Sequence, residues 1–142
     1  MSRIVRVDSG PLRYVQRVSV GSHMLRADEP VGSGGTDTGP NPYEFLLAAL
    51  GTCASITVQM YADRKQWPLE AVHVGLSYEK TAVEDRSETR FVDQIEMEIS
   101  FDGDLSEDQK QRLIEIANKC PVHRTLTSQI QIRTRPAVNN LH

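Results

Sequence analysis

Residues 32–66 of this sequence read GSGGTDTGPNPYEFLLAALGTCASITVQMYADRKQ, a glycine-rich stretch that runs directly into a long apolar one. The glycines and Pro40 exclude regular structure, so a loop is predicted over residues 31–41. Asn41 is a suitable N-cap, Pro42 suits the first helical position, and Glu44 completes a capping box. A helix is therefore predicted over residues 42–66, closed by the Trp67-Pro68 pair that follows.

The predicted helix is apolar on nearly every face, and such a helix must be covered on every side. At about 1.5 Å per residue it would be roughly 35 Å long, which is the width of a small domain. A chain of 142 residues can hardly wrap it completely. We therefore expect a homodimer in which two such helices meet at the centre.

The same helix raises the question of a membrane. Residues 45–62 contain no charged side chain, a length that is borderline for a bilayer span. Four polar residues lie inside this run, and charged residues bracket it at positions 44 and 63–65. A buried helix of a soluble protein fits better, so no membrane association is expected.

Length and composition narrow the class of protein. The chain has 142 residues, with 25% charged residues and a net charge of −3, which fits one domain over residues 1–142. Its 16 basic residues are scattered, so nucleic acid is not an expected partner. Two cysteines cannot build a disulfide framework. Residues 1–10 lack an apolar signal core, so the expected compartment is the cytoplasm.

The remaining pattern predicts an α+β chain. Strands are predicted over residues 3–7, 12–19 and 22–27, and again over 72–78 and 95–101, with a charged connecting loop at 84–90. Ser106 opens a second helix through a capping box with Gln109, and Pro121 is predicted to end it. A last strand is predicted around residues 130–132, followed by a loose tail over 138–142.

The two cysteines allow two interpretations. Cys53 lies in the middle of the long helix and Cys120 directly before Pro121. Each could be a small buried apolar residue, or the two could form a redox pair that lies close only in the fold. Cys120 and His123 have the spacing of half a zinc site, but no second half lies nearby, so no metal is expected. The glycine loop matches neither common nucleotide-binding motif.

Two segments together resemble the OsmC/Ohr family. The first is residues 34–53, GGTDTGPNPYEFLLAALGTC, and the second is the run CPVHRTL at residues 120–126. The likeness extends from about residue 23 to residue 132, including the order of strands and helices. The sequence is most similar to the OsmC-like branch whose second cysteine begins such a run.

This resemblance implies an α+β fold in an intertwined homodimer, with long central helices between two sheets. It also implies reduction of organic hydroperoxides by two cysteines, without a metal, flavin or other cofactor. Cys53 would be the peroxidatic thiol and Cys120 the resolving thiol, and an external dithiol reductant would reset the pair. The alternative is a stress-response or small-molecule-binding protein of the same fold, with other thiol chemistry or none.

The sequence departs from the family's peroxidases at the position after the Asn-Pro pair. Those enzymes have a glutamate there, which holds an arginine beside the reactive thiolate, whereas this chain has Tyr43. Glu44, one position later, is either the catalytic carboxylate or only the capping-box residue. Arg26 is the first choice for the arginine, and Arg17 and Arg124 stay open.

Overall fold

A computed structural model describes residues 3–138 of the chain. Strands β1, β2 and β3 form one antiparallel sheet, and β4 and β5 pair in a second. The predicted α+β class is confirmed. The elements are β1 Arg6–Ser9, β2 Gln16–Val20, β3 His23–Ala27, α1 Pro42–Lys65, β4 Leu69–Asp85, β5 Glu88–Gly103, α2 Glu107–Ala117 and α3 Pro121–Leu126. Of the predicted tail, only Val138 is among the described residues.

The chain packs as two compact units. The first contains residues 3–51 and 74–99, which include the three-stranded sheet, the glycine-rich loop and the N-terminal part of α1. The second contains residues 52–73 and 100–138, which include the rest of α1 together with α2 and α3. Both chain segments that carry a cysteine belong to the second unit.

The glycine-rich loop of the first unit is ordered by close backbone contact. It contains one short 3-10 helix, Val31–Ser33, and is otherwise irregular, as predicted. A Cβ atom on Gly35 would lie 2.1 Å from the Glu29 carbonyl oxygen, and one on Gly39 would lie 2.4 Å from the Arg26 carbonyl oxygen. Only glycine fits at these two positions.

The carboxylate of Asp28 ties this loop together. Its Oδ2 atom accepts hydrogen bonds from the backbone N–H and the hydroxyl of both Thr36 and Thr38, at 2.6 to 3.2 Å. Its Oδ1 atom accepts the Glu29 N–H at 2.7 Å. The side chain is buried, and these donors, led by the Thr36 hydroxyl, hold its pKa well below the usual value. Sequence reasoning missed this residue, because its partners lie eight to ten positions away.

Helix α1 begins and ends where the sequence predicts, to within one residue. The Glu44 N–H donates to Asn41 Oδ1 at 2.9 Å, and the Asn41 N–H donates to Glu44 Oε1 at 2.7 Å, which completes the capping box. Gln66 follows the helix in the left-handed conformation, with φ of 57°, before Trp67-Pro68. Local signals therefore fix both ends of this element.

The faces of α1 differ in how well the single chain covers them. A stripe with a spacing of four is buried: Leu50, Ala54, Val58 and Ala62. In contrast, Ile56 is 49% exposed and Met60 is 59% exposed. By length and composition α1 is apolar enough to cross a membrane, and 28% of its most apolar window is buried; the core helix of a soluble protein meets the same criterion.

The prediction of a connecting loop over residues 84–90 is wrong. Strand β4 continues to Asp85 and β5 begins at Glu88, so only Arg86 and Ser87 form the turn. Arg86 adopts a positive φ of 59°, as tight hairpins require. Most of the charged side chains here are exposed on a two-stranded ribbon, where charge does not oppose strand formation.

Two predictions near the C-terminus are also wrong. Helix α2 ends at Ala117, and Pro121 does not end it but opens α3, because proline lacks the N–H that a first helical position leaves unpaired. Residues 130–132 are not a strand. Within residues 3–138 no strand pairs with them, and Ile130 and Ile132 are 51% and 85% exposed. Alternation alone does not make a strand without a hydrogen-bonding neighbour.

Candidate functional site

Cys53 lies on α1 within the second unit and is partly exposed. Its Sγ atom accepts a hydrogen bond from the Val122 backbone N–H, at 3.4 Å. Val122 is the second residue of α3, which Pro121 starts. The contact therefore joins the middle of α1 to the segment that directly follows Cys120.

Cys120 is fully buried and is the N-cap of α3. Its Sγ atom accepts a hydrogen bond from the His123 backbone N–H at 3.4 Å. Burial raises the pKa of the Cys120 thiol, and the neighbouring Cys53 thiol raises it further. Two cysteines that are 67 positions apart in sequence are thus neighbours in the fold, since the Cys53 sulfur lies 3.4 Å from the backbone nitrogen of Val122, two residues after Cys120. The expectation that they lie close is confirmed.

This arrangement can carry out reversible thiol chemistry. Both cysteines are free thiols, one reachable from solvent and one buried. A sulfenic acid formed on the reachable thiol would have the second thiol beside it, ready to condense to a disulfide. Within residues 3–138 no group of three or more His, Cys, Asp or Glu side chains could hold a metal ion.

The other predicted site residues are divided between the two units. Arg26 is an exposed residue of β3, in register with Arg17 of β2, and both belong to the first unit. Glu44 also belongs to that unit, and its carboxylate is engaged in the capping box. Arg124, in the last turn of α3, belongs to the second unit with both cysteines. Catalytic roles for these residues stay predictions.

The capping box gives Glu44 a structural task that can be measured. We expect Glu44→Ala to lower the free energy of unfolding by about 1 kcal/mol, because the Asn41 N–H loses its acceptor. Urea titration measures this change. The peroxide turnover that the resemblance implies should, per folded molecule, be the same as in the unmodified protein. Loss of turnover at unchanged stability would instead assign Glu44 to catalysis.

Tyr43, which directly follows the Asn41-Pro42 pair, contacts residues that the sequence did not single out. Its ring stacks on that of Tyr78 in β4, with the centroids 4.4 Å apart and an angle of 13° between the planes. The Tyr78 hydroxyl donates to Asp93 of β5, which also accepts from Lys80 at 2.8 Å. All four residues belong to the first unit. No spacing in the sequence indicates this cluster, since it depends on strand pairing.

Comparison with known proteins agrees with this architecture. The sequence profile of the OsmC-like protein family matches residues 35–135. An OsmC-like protein from Mycoplasma pneumoniae has a similar structure, with a TM-score of 0.72 and 16% identity over 89% of this chain and 87% of that chain. A comparison with curated protein sequences found no match.

Two further similar structures carry a functional description of their own. One, from Legionella pneumophila, is described as an organic hydroperoxide resistance protein OsmC; its TM-score is 0.67 at 18% identity, over 89% of this chain and 90% of that chain. The other is an organic hydroperoxide resistance protein from Elizabethkingia anophelis, with a TM-score of 0.68 at 18% identity, over 92% of this chain and 91% of that chain. At these identities the likeness establishes the fold alone.

The family match spans more than half of the chain, including all of α1 and both cysteines. Together with the shared fold, it shows that the chain belongs to the OsmC-like protein family.

Proposed function

We propose that the chain is a thiol-dependent peroxidase that reduces organic hydroperoxides through a two-cysteine cycle. The observation that carries the proposal is that the fold brings Cys53 beside the segment that carries Cys120, 67 positions away, with the Val122 N–H bound to the Cys53 sulfur. The similarity to two structures described as organic hydroperoxide resistance proteins supports the proposed substrate class. The cycle needs no metal or flavin, and an external dithiol resets it in the cytoplasm, where thiols are kept reduced.

In the first step the Cys53 thiolate attacks the distal oxygen of the hydroperoxide. The O–O bond breaks, an S–O bond forms, and the alkoxide takes up a proton and leaves as an alcohol. Cys53 is thereby oxidised by two electrons to a sulfenic acid. Cys53 suits this role because its side chain is partly exposed, whereas Cys120 is fully buried. The Val122 N–H stabilises negative charge on the Cys53 sulfur.

In the second step the Cys120 sulfur attacks the sulfenic sulfur. An S–S bond forms, the S–OH bond breaks, and the hydroxyl leaves as water with the proton of the Cys120 thiol. Burial and the Cys53 contact keep Cys120 protonated before this step, since both raise its pKa. The buried Cys120 thiol therefore does not react until the accessible Cys53 has been oxidised. An external dithiol then reduces the disulfide by thiol–disulfide exchange.

The proposed working form is a homodimer. The exposed face of α1, with Ile56 and Met60, is the surface that a second copy would cover. We expect sedimentation at micromolar concentration to give twice the 15.9 kDa mass of one chain. The interface should exceed the roughly 1,600 Å² of an ordinary complex, because it would resemble a divided core. A folded monomer at that concentration would contradict this proposal.

The decisive test of the function is turnover of cumene hydroperoxide in the presence of a dithiol reductant. We expect steady consumption by the unmodified chain and none by Cys53→Ser, with matched circular dichroism spectra to show that both are folded. A folded chain without turnover, whose Cys53 still reacts readily with an alkylating reagent, would favour other thiol chemistry on the same fold. Slow alkylation as well would indicate that the cysteines are structural.

A further inference from the structure

The stacked pair Tyr43 and Tyr78 has a geometry suited to oxidative coupling. The two rings are nearly parallel, at 13°, and their centroids are 4.4 Å apart. Tyr43 is 51% exposed, so an oxidant in solution reaches the pair and the ring has room to tilt. Tyr43 lies in the first turn of α1 and Tyr78 lies in β4, and both belong to the first unit. The fold therefore holds two phenols against each other.

The second feature is a built-in proton acceptor. The Tyr78 hydroxyl donates to Asp93 Oδ1 at 2.5 Å, and Lys80 Nζ donates to the same oxygen at 2.8 Å. Lys80 and Tyr78 lower the pKa of Asp93, so the acceptor is a carboxylate at neutral pH. The same carboxylate raises the pKa of Tyr78, so the phenol keeps its proton until an electron leaves. Loss of that electron would send the proton directly to Asp93.

The two remaining tyrosines have different surroundings. The Tyr61 hydroxyl accepts a hydrogen bond from Arg112 at 3.1 Å, and its ring packs edge-on against Trp67. Three cationic side chains lie within 6 Å of the Tyr61 ring, and their charge opposes the removal of an electron from that ring. Tyr14 lies beside Arg13, whose guanidinium is 5.0 Å from the ring. Among residues 3–138, only Tyr43 and Tyr78 combine a stacked tyrosine with a carboxylate acceptor.

We propose that Tyr43 and Tyr78 form an oxidative cross-linking site that one-electron oxidants, such as peroxyl or carbonate radicals, convert to an intrachain dityrosine. One oxidant takes an electron from Tyr78 while the phenolic proton moves to Asp93. A second oxidant takes an electron from Tyr43, whose proton goes to solvent. The two radicals couple through a carbon–carbon bond between ring positions next to the hydroxyls, and the ring hydrogens shift to the oxygens. Asp93 then releases its proton to solvent, so in sum two electrons and two protons leave the chain, and two oxidant molecules are each reduced by one electron.

Proximity decides the outcome of the second step. Radicals that form in contact couple faster than radicals that must diffuse together, because the geometry is set in advance. The stack would therefore direct oxidation into one defined product within the chain. This reaction uses neither cysteine, so it stands or falls independently of the proposed peroxidase cycle.

The test is photo-oxidation of the full-length protein with a ruthenium tris-bipyridyl complex and persulfate, followed by dityrosine fluorescence and peptide mass spectrometry. We expect one cross-linked peptide pair joining Tyr43 to Tyr78, with the loss of two hydrogens, in a band that runs as a single chain on a denaturing gel. Unfolding in urea before irradiation should remove this preference. No dityrosine, or a cross-link between two copies of the chain, would overturn the proposal.

Four phenylalanine variants provide matched controls, since each keeps the ring and removes one hydroxyl. Tyr43→Phe and Tyr78→Phe should each abolish the cross-link, whereas Tyr14→Phe and Tyr61→Phe should leave it unchanged. Asp93→Asn should slow its formation several-fold without changing its position, because the amide is a poor proton acceptor. A cross-link that persists in Tyr78→Phe, or that disappears in Tyr61→Phe, would contradict the assignment of the site. An unchanged rate of cross-linking in Asp93→Asn would show that Asp93 is not the proton acceptor.

Discussion

Cys120→Ser is expected to slow peroxide reduction sharply after the first equivalent and to let Cys53 accumulate as a sulfenic acid. Serine cannot form the disulfide, so only the external dithiol can reset Cys53. Steady turnover should fall by at least about tenfold, because a neighbouring thiol has a far higher effective concentration than a dissolved one. Stopped-flow peroxide consumption and trapping with a 1,3-diketone reagent measure the burst and the sulfenic acid.

The variant should remain folded, which makes the comparison with the unmodified chain direct. Cys120 is the N-cap of α3, where its sulfur accepts the His123 N–H. Serine is a preferred residue at that position and offers an oxygen to the same donor. Undiminished turnover in Cys120→Ser would show that Cys120 does not resolve the intermediate. Cys53→Ser, by contrast, should show no burst at all.

Asp28→Asn is expected to cause the largest loss of stability among substitutions that keep side-chain size. Four donors converge on one carboxylate oxygen of Asp28, two from Thr36 and two from Thr38. Asparagine at this position places its NH2 group against the Thr36 and Thr38 donors or, if the amide is flipped, against the Glu29 N–H. In both orientations donors face donors, and hydrogen bonds are lost. We expect the Tm to fall by on the order of 5–10 °C in a thermal scan at pH 7.

The effect should depend on pH in a defined direction. The folded chain holds the pKa of Asp28 well below its usual value of 3.8, so the carboxylate stabilises the fold above about pH 4 and loses this contribution as the pH falls further. The difference in Tm between the unmodified chain and Asp28→Asn should therefore shrink as the pH falls from 5 to 3. Thr36→Val, which removes only one hydroxyl donor, should cause a smaller loss. A constant difference across this range would contradict the role given to the carboxylate.

The sequence predicts those parts of the fold that local chemistry determines. The capping boxes at Asn41 and Ser106 are both present in the structure, at the helix ends where the residue types place them. The left-handed Gln66 ends α1 beside Trp67-Pro68. These signals act over three or four residues, so they do not depend on the rest of the chain.

Elements that depend on distant partners could not be predicted in the same way. The charged residues 84–90 look like a loop until the pairing of β4 with β5 is known. The alternation at Ile130 and Ile132 looks like a strand, although no neighbour pairs with it among the described residues. Pro121 is compatible both with the end of one helix and with the start of another. In each case the missing information is a contact across many positions.

In the candidate site, too, the contacts between distant residues could not be predicted from local sequence. The resemblance to the OsmC/Ohr family predicts that Cys53 and Cys120 act together, but their spacing in the sequence does not. The Val122 N–H that contacts Cys53 belongs to the backbone, so no side-chain pattern could indicate it. Asp28 likewise gains its role only when residues eight and ten positions later fold back onto it.

The most direct test of the peroxidase account is mass spectrometry of the reduced protein after one equivalent of cumene hydroperoxide. Alkylation of the remaining thiols and proteolysis without reductant should yield a peptide pair joined by a Cys53–Cys120 disulfide, and a dithiol should return both peptides to the thiol form. The account predicts this linkage as the main product within a single chain. Two free thiols after complete peroxide consumption, or a disulfide joining Cys53 of one chain to Cys53 of another, would contradict it.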